Sequence, residues 1–379
     1  MFFGTKTVDV IEFSSAATRV VNKGLKLTPL VLAMPWMPVS FGPLRLVGEW
    51  VKSVHANDLP SFMDDAWAKL EATSTCQRLT APTLPHTGTN LRLRERLVGE
   101  LDGIRDFSKS TRIGEYGQAV CLIFVQDKLH YPIVFDFDIF CSLAGVGVIP
   151  KTDSKPDFVG WDGEQFVLVE SKASLGSDAI KTTLREGLLQ CDAGSTHLAA
   201  AGFVPAASYC VLTTFQMDTV GKNSCVNFAD PEGEPSTPDG THMRVVNAYY
   251  RNALQALGCF GTEIFRLSGD AFGGSRTFSG MGDRTFFKLR YFEKPLWIED
   301  MSPELGLYGG NYSLWMDGQI LDALRSGNGR SFKQKTQAFY EVVDQFEGSA
   351  NVNSEQFIQV FRDGLVMVLE RPDAFPTQG

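Results

Sequence analysis

No two cysteines in the 379-residue chain stand at CxxC spacing. The seven, at 76, 121, 141, 191, 210, 225 and 259, are scattered. That pattern speaks against a zinc ribbon or a thioredoxin-type redox pair, and it fits reduced, buried thiols in a cytoplasm-like compartment. Histidine is sparse, with five residues and no HExxH, so none of them points to a close metal-ligand set. No GxSxG elbow is present, which disfavours a serine hydrolase of the α/β type. Positive charge is not in excess either. Thirty-five Lys and Arg face 44 Asp and Glu for a net charge of −9, which argues against a nonspecific nucleic-acid coat. A local basic cleft stays open, because a steering field depends on where charges sit. Long apolar runs are also missing. Prolines 29, 35, 38 and 43 interrupt "LTPLVLAMPWMPVSFGPL", so it cannot form a spanning helix of ~20 residues. Asp9 and Glu12 stand where a signal peptide needs an apolar stretch. The chain is expected to be soluble and cytoplasmic, with no membrane partner and with residues 27–44 as core or as an extended arm. No repeat or low-complexity tract appears.

What is present is ordinary globular composition, 44% hydrophobic and 21% charged. The length suits two domains or one elaborated domain. The spacing predicts an α/β protein in three segments. Residues 1–108 form an amino-terminal α/β or helical elaboration, which includes "FMDDAWAKLEA" and a helical "LRLRERLVGELDGIRDF". Residues 109–225 form an ordered core, and 226–379 a mixed region that opens on a polar loop at 226–240. Within the core, "RIGEYGQAVCLIFVQDKL" has helical spacing and "YPIVFDFDIF" alternates as a strand does. "VGVIP", "PDFVGW" and "EQFVLVESKA" are further strand candidates. "SDAIKTTLREGLLQC" is a helix with Ser177 or Asp178 as N-cap, and "ASYCVLTTF" is a strand. Beyond the core lie a helix at 242–257, a glycine-rich turn region near 268–284, the strand "TFFKLRYF", and helices around 334–346 and 354–361.

The stretch "PDFVGWDGEQFVLVESK" (156–172) carries the chemistry. Asp162-Gly163 is a strong hairpin signal, and a two-residue loop would set Trp161 opposite Glu164. Side chains alternate faces, so Asp157, Leu168, Glu170 and Lys172 share one face, and Val167, Val169 and Ser171 take the other. Glu170 is then the diagonal neighbour of Asp157. Two carboxylates and an ammonium converge, and such a donor set suits a hard divalent cation. An exposed ion-pair cluster is the plain alternative, worth ~0.2–1 kcal/mol per pair. The apolar residues around the three charges weigh against it, because buried carboxylates without a cation are costly.

Pro156-Asp157, twelve intervening residues and Glu170-Ser171-Lys172 together resemble the signature of the PD-(D/E)xK nuclease superfamily. The resemblance covers about 100 residues. It implies a restriction-endonuclease-like core of order α-β-β-β-α-β, a mixed central sheet flanked by helices. It also implies Mg²⁺, for which Mn²⁺ substitutes, held by Asp157 and Glu170 with the Ser171 carbonyl as a further donor. Lys172 would orient the hydrolytic water, and Glu115 on the first helix would be a further ligand or an acid behind one. The plain alternative for Glu115 is a first-turn glutamate favoured by the helix dipole. The activity implied is phosphodiester hydrolysis, as a DNA endonuclease of restriction or defence type, with RNA left open and room for a homodimer. A catalytically inactive nuclease-fold protein that binds or assembles on nucleic acid is the alternative, and a coincidental motif in an unrelated α/β protein is the third.

Several weaker signals accompany the motif. Asp136 and Asp138 would enlarge an acidic site or face solvent on a strand edge. Lys181 and Arg185, at i and i+4, would contact the nucleic-acid backbone or form the wet face of their helix. Arg92, Arg94 and Arg96, with Arg105, are a candidate basic patch diluted by Glu95, Glu100 and Asp102. Gln190 is followed by Ala193 and Gly194 in place of a Gln-xxx-Tyr element. "SGNGRSFKQK" lacks the order of a phosphate loop and is expected to start a helix.

Overall fold

A computed structural model describes residues 6–14, 24–42, 89–93, 106–217, 220–230, 312–348 and 356–370, less a few positions within them. It also describes the strands at 286–289 and 296–300 and isolated residues between 45 and 52 and between 246 and 250. Two compact units divide the chain: residues 1–56 with 77–238, and 57–76 with 239–379. The expected boundaries after 108 and 225 thus both fall inside the first unit.

The first unit is an α/β sandwich. Its strands are β1 (Lys6–Ser14), β2 (Thr28–Pro29), β3 (Val39–Phe41), β4 (Ile133–Asp136), β5 (Phe158–Trp161), β6 (Phe166–Leu175), β7 (Ala207–Phe215) and β8 (Cys225–Ala229). Its helices are α1 (Asp106–Lys128), α2 (Phe137–Ala144) and α3 (Ile180–Ala200). The eight-stranded sheet runs β2-β1-β8-β7-β6-β5-β4, with β3 paired to β1. It is mixed: β6 with β7 and β1 with β8 are parallel, and the other pairings are antiparallel. Consecutive residues of β7 show how the layers form. Val211 enters the core that holds Ala119, Val120 and Phe124 of α1, while Cys210 and Leu212 enter the one that holds Leu184 and Leu188 of α3. One period-two strand therefore feeds both helix layers. Each fully buried valine, leucine or phenylalanine among them contributes roughly 1.5–3 kcal/mol.

The middle block reads α1-β4-α2-β5-β6-α3-β7, which is the expected order with a short helix added after its first strand. That helix corrects the "YPIVFDFDIF" strand. Only 133–136 is extended; Asp136 then N-caps α2, its Oδ1 accepting from the Ile139 amide at 3.0 Å. Phe137, Phe140 and Cys141 fall at i, i+3, i+4 and are buried. The run satisfies both periodicities, and the cap decides between them. Phe140 then stacks on Phe135 at 5.7 Å and meets Phe166 and Phe203 at 5.5 and 5.8 Å. The expected "VGVIP" strand is not formed at its described residues. The N-cap of α3 is Ala179, at φ 58° with no side-chain cap bond, not Ser177 or Asp178.

Other expectations also change. Leu91 and Leu93 are buried in extended chain, their amides bonded to Thr7 and Gln216 carbonyls, so "LRL" does not open a helix. Residues 225–229 are β8, so the polar loop begins later, and 231–240 lie outside the described residues. The 27–44 segment is an arm at its middle: Val31, Met34 and Met37 are exposed, while the Trp36 Nε1 donates to Glu12 at 2.9 Å. "FMDDAWAKLEA", most of the 242–257 helix and the 268–284 turn region lie outside the described residues. No helix among the described residues is long and apolar enough to cross a membrane.

The second unit holds an antiparallel sheet of order β12-β13-β11-β10-β9. Its strands are β9 (Phe286–Leu289), β10 (Leu296–Asp300), β11 (Tyr312–Asp317), β12 (Gln356–Val360) and β13 (Leu365–Glu370). Two helices, α4 (Gly318–Ser326) and α5 (Gly329–Gly348), accompany it. β12 replaces the helix expected around 354–361. Asp363-Gly364 closes a β12–β13 turn, with Gly364 at φ 90° and the Phe361 amide bonded to the Leu365 carbonyl at 2.8 Å.

Candidate active site at the end of the β5–β6 hairpin

The 156–172 hairpin forms with its register shifted by two residues. Trp161 pairs with Phe166, and the loop is Asp162 to Gln165. The cause is the Asp162 side chain, whose Oδ1 accepts from the amides of Glu164 and Gln165 at 2.8 and 2.7 Å and so holds a longer turn. A shift of two keeps every side chain on its face. It also brings Asp157 level with Glu170, not diagonal to it.

At that level β5 ends, and residues 170–175 of β6 pair with β7 alone. The Asp157 amide donates to Glu170 Oε2 at 3.0 Å, and the Ser171 amide donates to Asp157 Oδ2 at 3.0 Å. Lys172 Nζ forms a salt bridge with Glu170 Oε1. Asp157, Glu170 and Lys172 thus meet as one hydrogen-bonded group at the strand end. The Glu170 side chain is 1% exposed and that of Lys172 31%.

Two glycines of α3 make this possible. A Cβ on Gly187 would lie 2.2 Å from Cys210 Sγ and 3.1 Å from Glu170 Cγ, and one on Gly194 would lie 2.4 Å from Pro156 Cδ. The helix therefore rests directly on both halves of the motif.

Burial sets the electrostatics. It pushes the Glu170 carboxyl up to about 8, the Asp157 charge adds to this, and Lys172 pulls the other way. Asp157 is also raised by burial, against the Ser171 amide and the Lys172 charge. Lys172 loses hydration, which lowers its pKa, but the Glu170 carboxylate outweighs that and holds the ammonium charged. Two carboxylates kept from water beside each other form a site that gains from a cation.

An open cleft of about 340 Å³ adjoins Asp157. Its wall includes Gln118 of α1, Gln190 of α3, Asp136, Asp138, Asp153 and Lys155. By sequence Asp136 would either enlarge an acidic site or face solvent on a strand edge. It is half-buried, with its pKa raised by desolvation, and it lines the cleft from the α2 cap. The signal for it was an aspartate three residues before the Ile139 amide that it caps. Lys155 spans both oxygens of Asp138 at 2.6 and 2.7 Å, and Gln190 Nε2 donates to the Lys155 carbonyl at 3.4 Å. Neither Lys155 nor Gln118 had a sequence signal.

The remaining candidates are dispersed. Glu115 is half-buried on α1, but among the described residues no three His, Cys, Asp or Glu side chains gather closely enough to hold an ion together. Ser171 lies on β6 beside the α1 thiol of Cys121, and its buried Oγ has no hydrogen-bond partner among the described residues. Lys181 is exposed on α3 and Arg185 half-buried, with Leu184 and Leu188 turned inward. Arg92 is the one member of the candidate basic patch among the described residues. It sits half-buried between two core leucines and donates to Asn223 Oδ1 at 3.4 Å. Arg94, Arg96 and Arg105 lie outside the described residues.

Searches against family models, curated proteins and solved structures return no match for this chain.

Proposed function

We propose that the chain is a divalent-cation-dependent nuclease built on a restriction-endonuclease-like core, with DNA as the favoured substrate. One observation carries this reading: Asp157, Glu170 and Lys172 converge at the end of the β5–β6 hairpin, with the Glu170 carboxyl withdrawn from water. Hard carboxylate oxygens fit Mg²⁺ or Mn²⁺, and their raised pKa values mark a site where a cation can displace a proton. Asp157 and Glu170 would hold such an ion, with the Ser171 carbonyl as a further donor, and when bound it would supply Lewis acidity to a phosphodiester.

The chain's own groups do the rest. The Ser171 amide fixes the Asp157 carboxylate in the strand-end position. Lys172, partly exposed, orients the attacking water and stabilises charge that develops on phosphorus. Glu115 acts from α1 as an acid behind the ligands. The block order α1-β4-β5-β6-α3-β7, with α2 inserted after β4, supports the same core.

The test is cleavage of plasmid DNA in Mg²⁺. Asp157→Ala and Lys172→Ala are each expected to lower the rate by about 10²-fold or more. Undiminished cleavage in excess chelator, or by both variants, would overturn the proposal.

A further inference from the structure

The nuclease reading leaves open which residue α1 sends to the substrate, and the cleft wall answers differently from the motif. Glu115 is the residue that the resemblance carries over, but the α1 side chain on the cleft wall is Gln118. Helix packing explains why. Gly117 lets α1 settle on β6, because a Cβ there would lie 2.4 Å from Ala173 Cβ. Cys121 meets Ser171 one turn further on. Gln118 stands one turn before Cys121, on the side where β5 has ended and the cleft opens. It is half-buried, and its amide has no hydrogen-bond partner among the described residues.

The chemistry of the wall narrows the role. Asp136, Asp138, Asp153 and Asp157 line the same space, and its lysine, Lys155, is engaged by Asp138. A phosphodiester that approaches Asp157 therefore meets mostly acceptors. A neutral amide can donate to a phosphate oxygen without adding to the negative charge of the wall. Resting on the nuclease reading, we propose that Gln118 is the substrate-phosphate contact of α1, its Nε2 donating to a non-bridging oxygen of the phosphate that Asp157 and Glu170 serve. It is a catalytic residue by contact with substrate and not a ligand of the cation.

The experiment uses the full chain, a short fluorescein-labelled DNA duplex and two readouts: cleavage in Mg²⁺, and anisotropy binding in Ca²⁺ as a non-cleaving stand-in. Gln118→Ala and Gln118→Leu are expected to lower kcat/KM by about 10- to 100-fold and to weaken binding in Ca²⁺. The midpoint of the Mg²⁺ titration should stay within about twofold of wild type. Gln118→Glu should be worse than Gln118→Ala in both readouts, because it adds charge against the phosphate. Gln118→Asn, which keeps an amide, covers the case where the leucine variant fails to fold; it should retain more binding than Gln118→Ala.

Cleavage and binding by Gln118→Ala and Gln118→Asn within about threefold of wild type would overturn the proposal. So would a Mg²⁺ midpoint displaced as far as in Asp157→Asn, which would make Gln118 part of the cation's surroundings. A wild-type chain that cleaves neither DNA nor RNA in Mg²⁺ or Mn²⁺ would sink the nuclease reading and this inference with it. Cleavage by wild type with indifferent Gln118 variants would sink only the inference.

Discussion

Gly194 of α3 leaves a gap that the ring of Pro156 fills, with the position of a missing Cβ only 2.4 Å from Pro156 Cδ. The proline of the Pro-Asp pair is thus a packing residue that sets where Asp157 begins. Gly187, two turns earlier, does the same for Glu170 and Cys210. Gly194→Ala and Gly187→Ala are each expected to destabilise the fold by about 1–3 kcal/mol in urea unfolding, despite the better helix propensity of alanine. Gly114→Ala, on α1 with nothing within 4 Å, is the control and should be neutral or slightly stabilising.

Stability should fall with pH across the range set by Glu170. Its folded pKa is raised from 4.5 to about 8, so the folded state holds a proton that the unfolded state has released. The stabilisation from that proton is present in full below the unfolded value and is lost as pH rises through about 8. In chelated protein the expected slope is up to about 1.4 kcal/mol per pH unit. Glu170→Gln should flatten it, as measured by denaturant titrations between pH 5 and about pH 8. An unchanged slope in that variant would place the proton elsewhere.

A divalent cation should reverse this loss. Mg²⁺ or Mn²⁺ at about 100 times its Kd is expected to add about 2.7 kcal/mol, seen as a rise in Tm. The gain should be larger at pH 8 than at pH 6, because the cation then displaces less proton. Asp157→Asn with Glu170→Gln should abolish it.

Away from the site, Arg45 is fully buried and holds Asp127 through Nη1 at 3.1 Å and Nη2 at 2.6 Å. Arg45→Met strands the Asp127 carboxylate, itself 6% exposed, and is expected to cost about 3–5 kcal/mol. Arg45→Met with Asp127→Leu should recover much of that, because neither charge is then left buried alone. Thermal unfolding of the three proteins provides the comparison.

Much of the middle block was legible because its signals are local. α1 announces itself by spacing, and "ASYCVLTTF" is β7 residue for residue. The shared face of Asp157 and Glu170 was legible too, since alternation survives a register error of two. The error itself came from Asp162, whose side chain can cap a longer loop as readily as Gly163 can tighten a short one. α2 is not legible from spacing alone, because Phe135, Phe137 and Ile139 alternate as a strand does while Phe137, Phe140 and Cys141 recur as a helix does, and only the cap chooses. β12 stands where spacing suggests a helix, although Asp363-Gly364 repeats the dipeptide that marks β5–β6.

The sequence by itself determined which atoms can do chemistry here: two acids and an amine, placed by a period-two chain on one side of one hairpin. Only the tertiary structure decided their surroundings. The ending of β5, the approach of α3 through Gly187 and Gly194, and the turn of α1 that presents Gln118 all depend on contacts between distant segments. Those contacts decide desolvation and cleft shape, and desolvation is what raises the Glu170 carboxyl to about 8. Neither quantity is encoded within any local window of the chain.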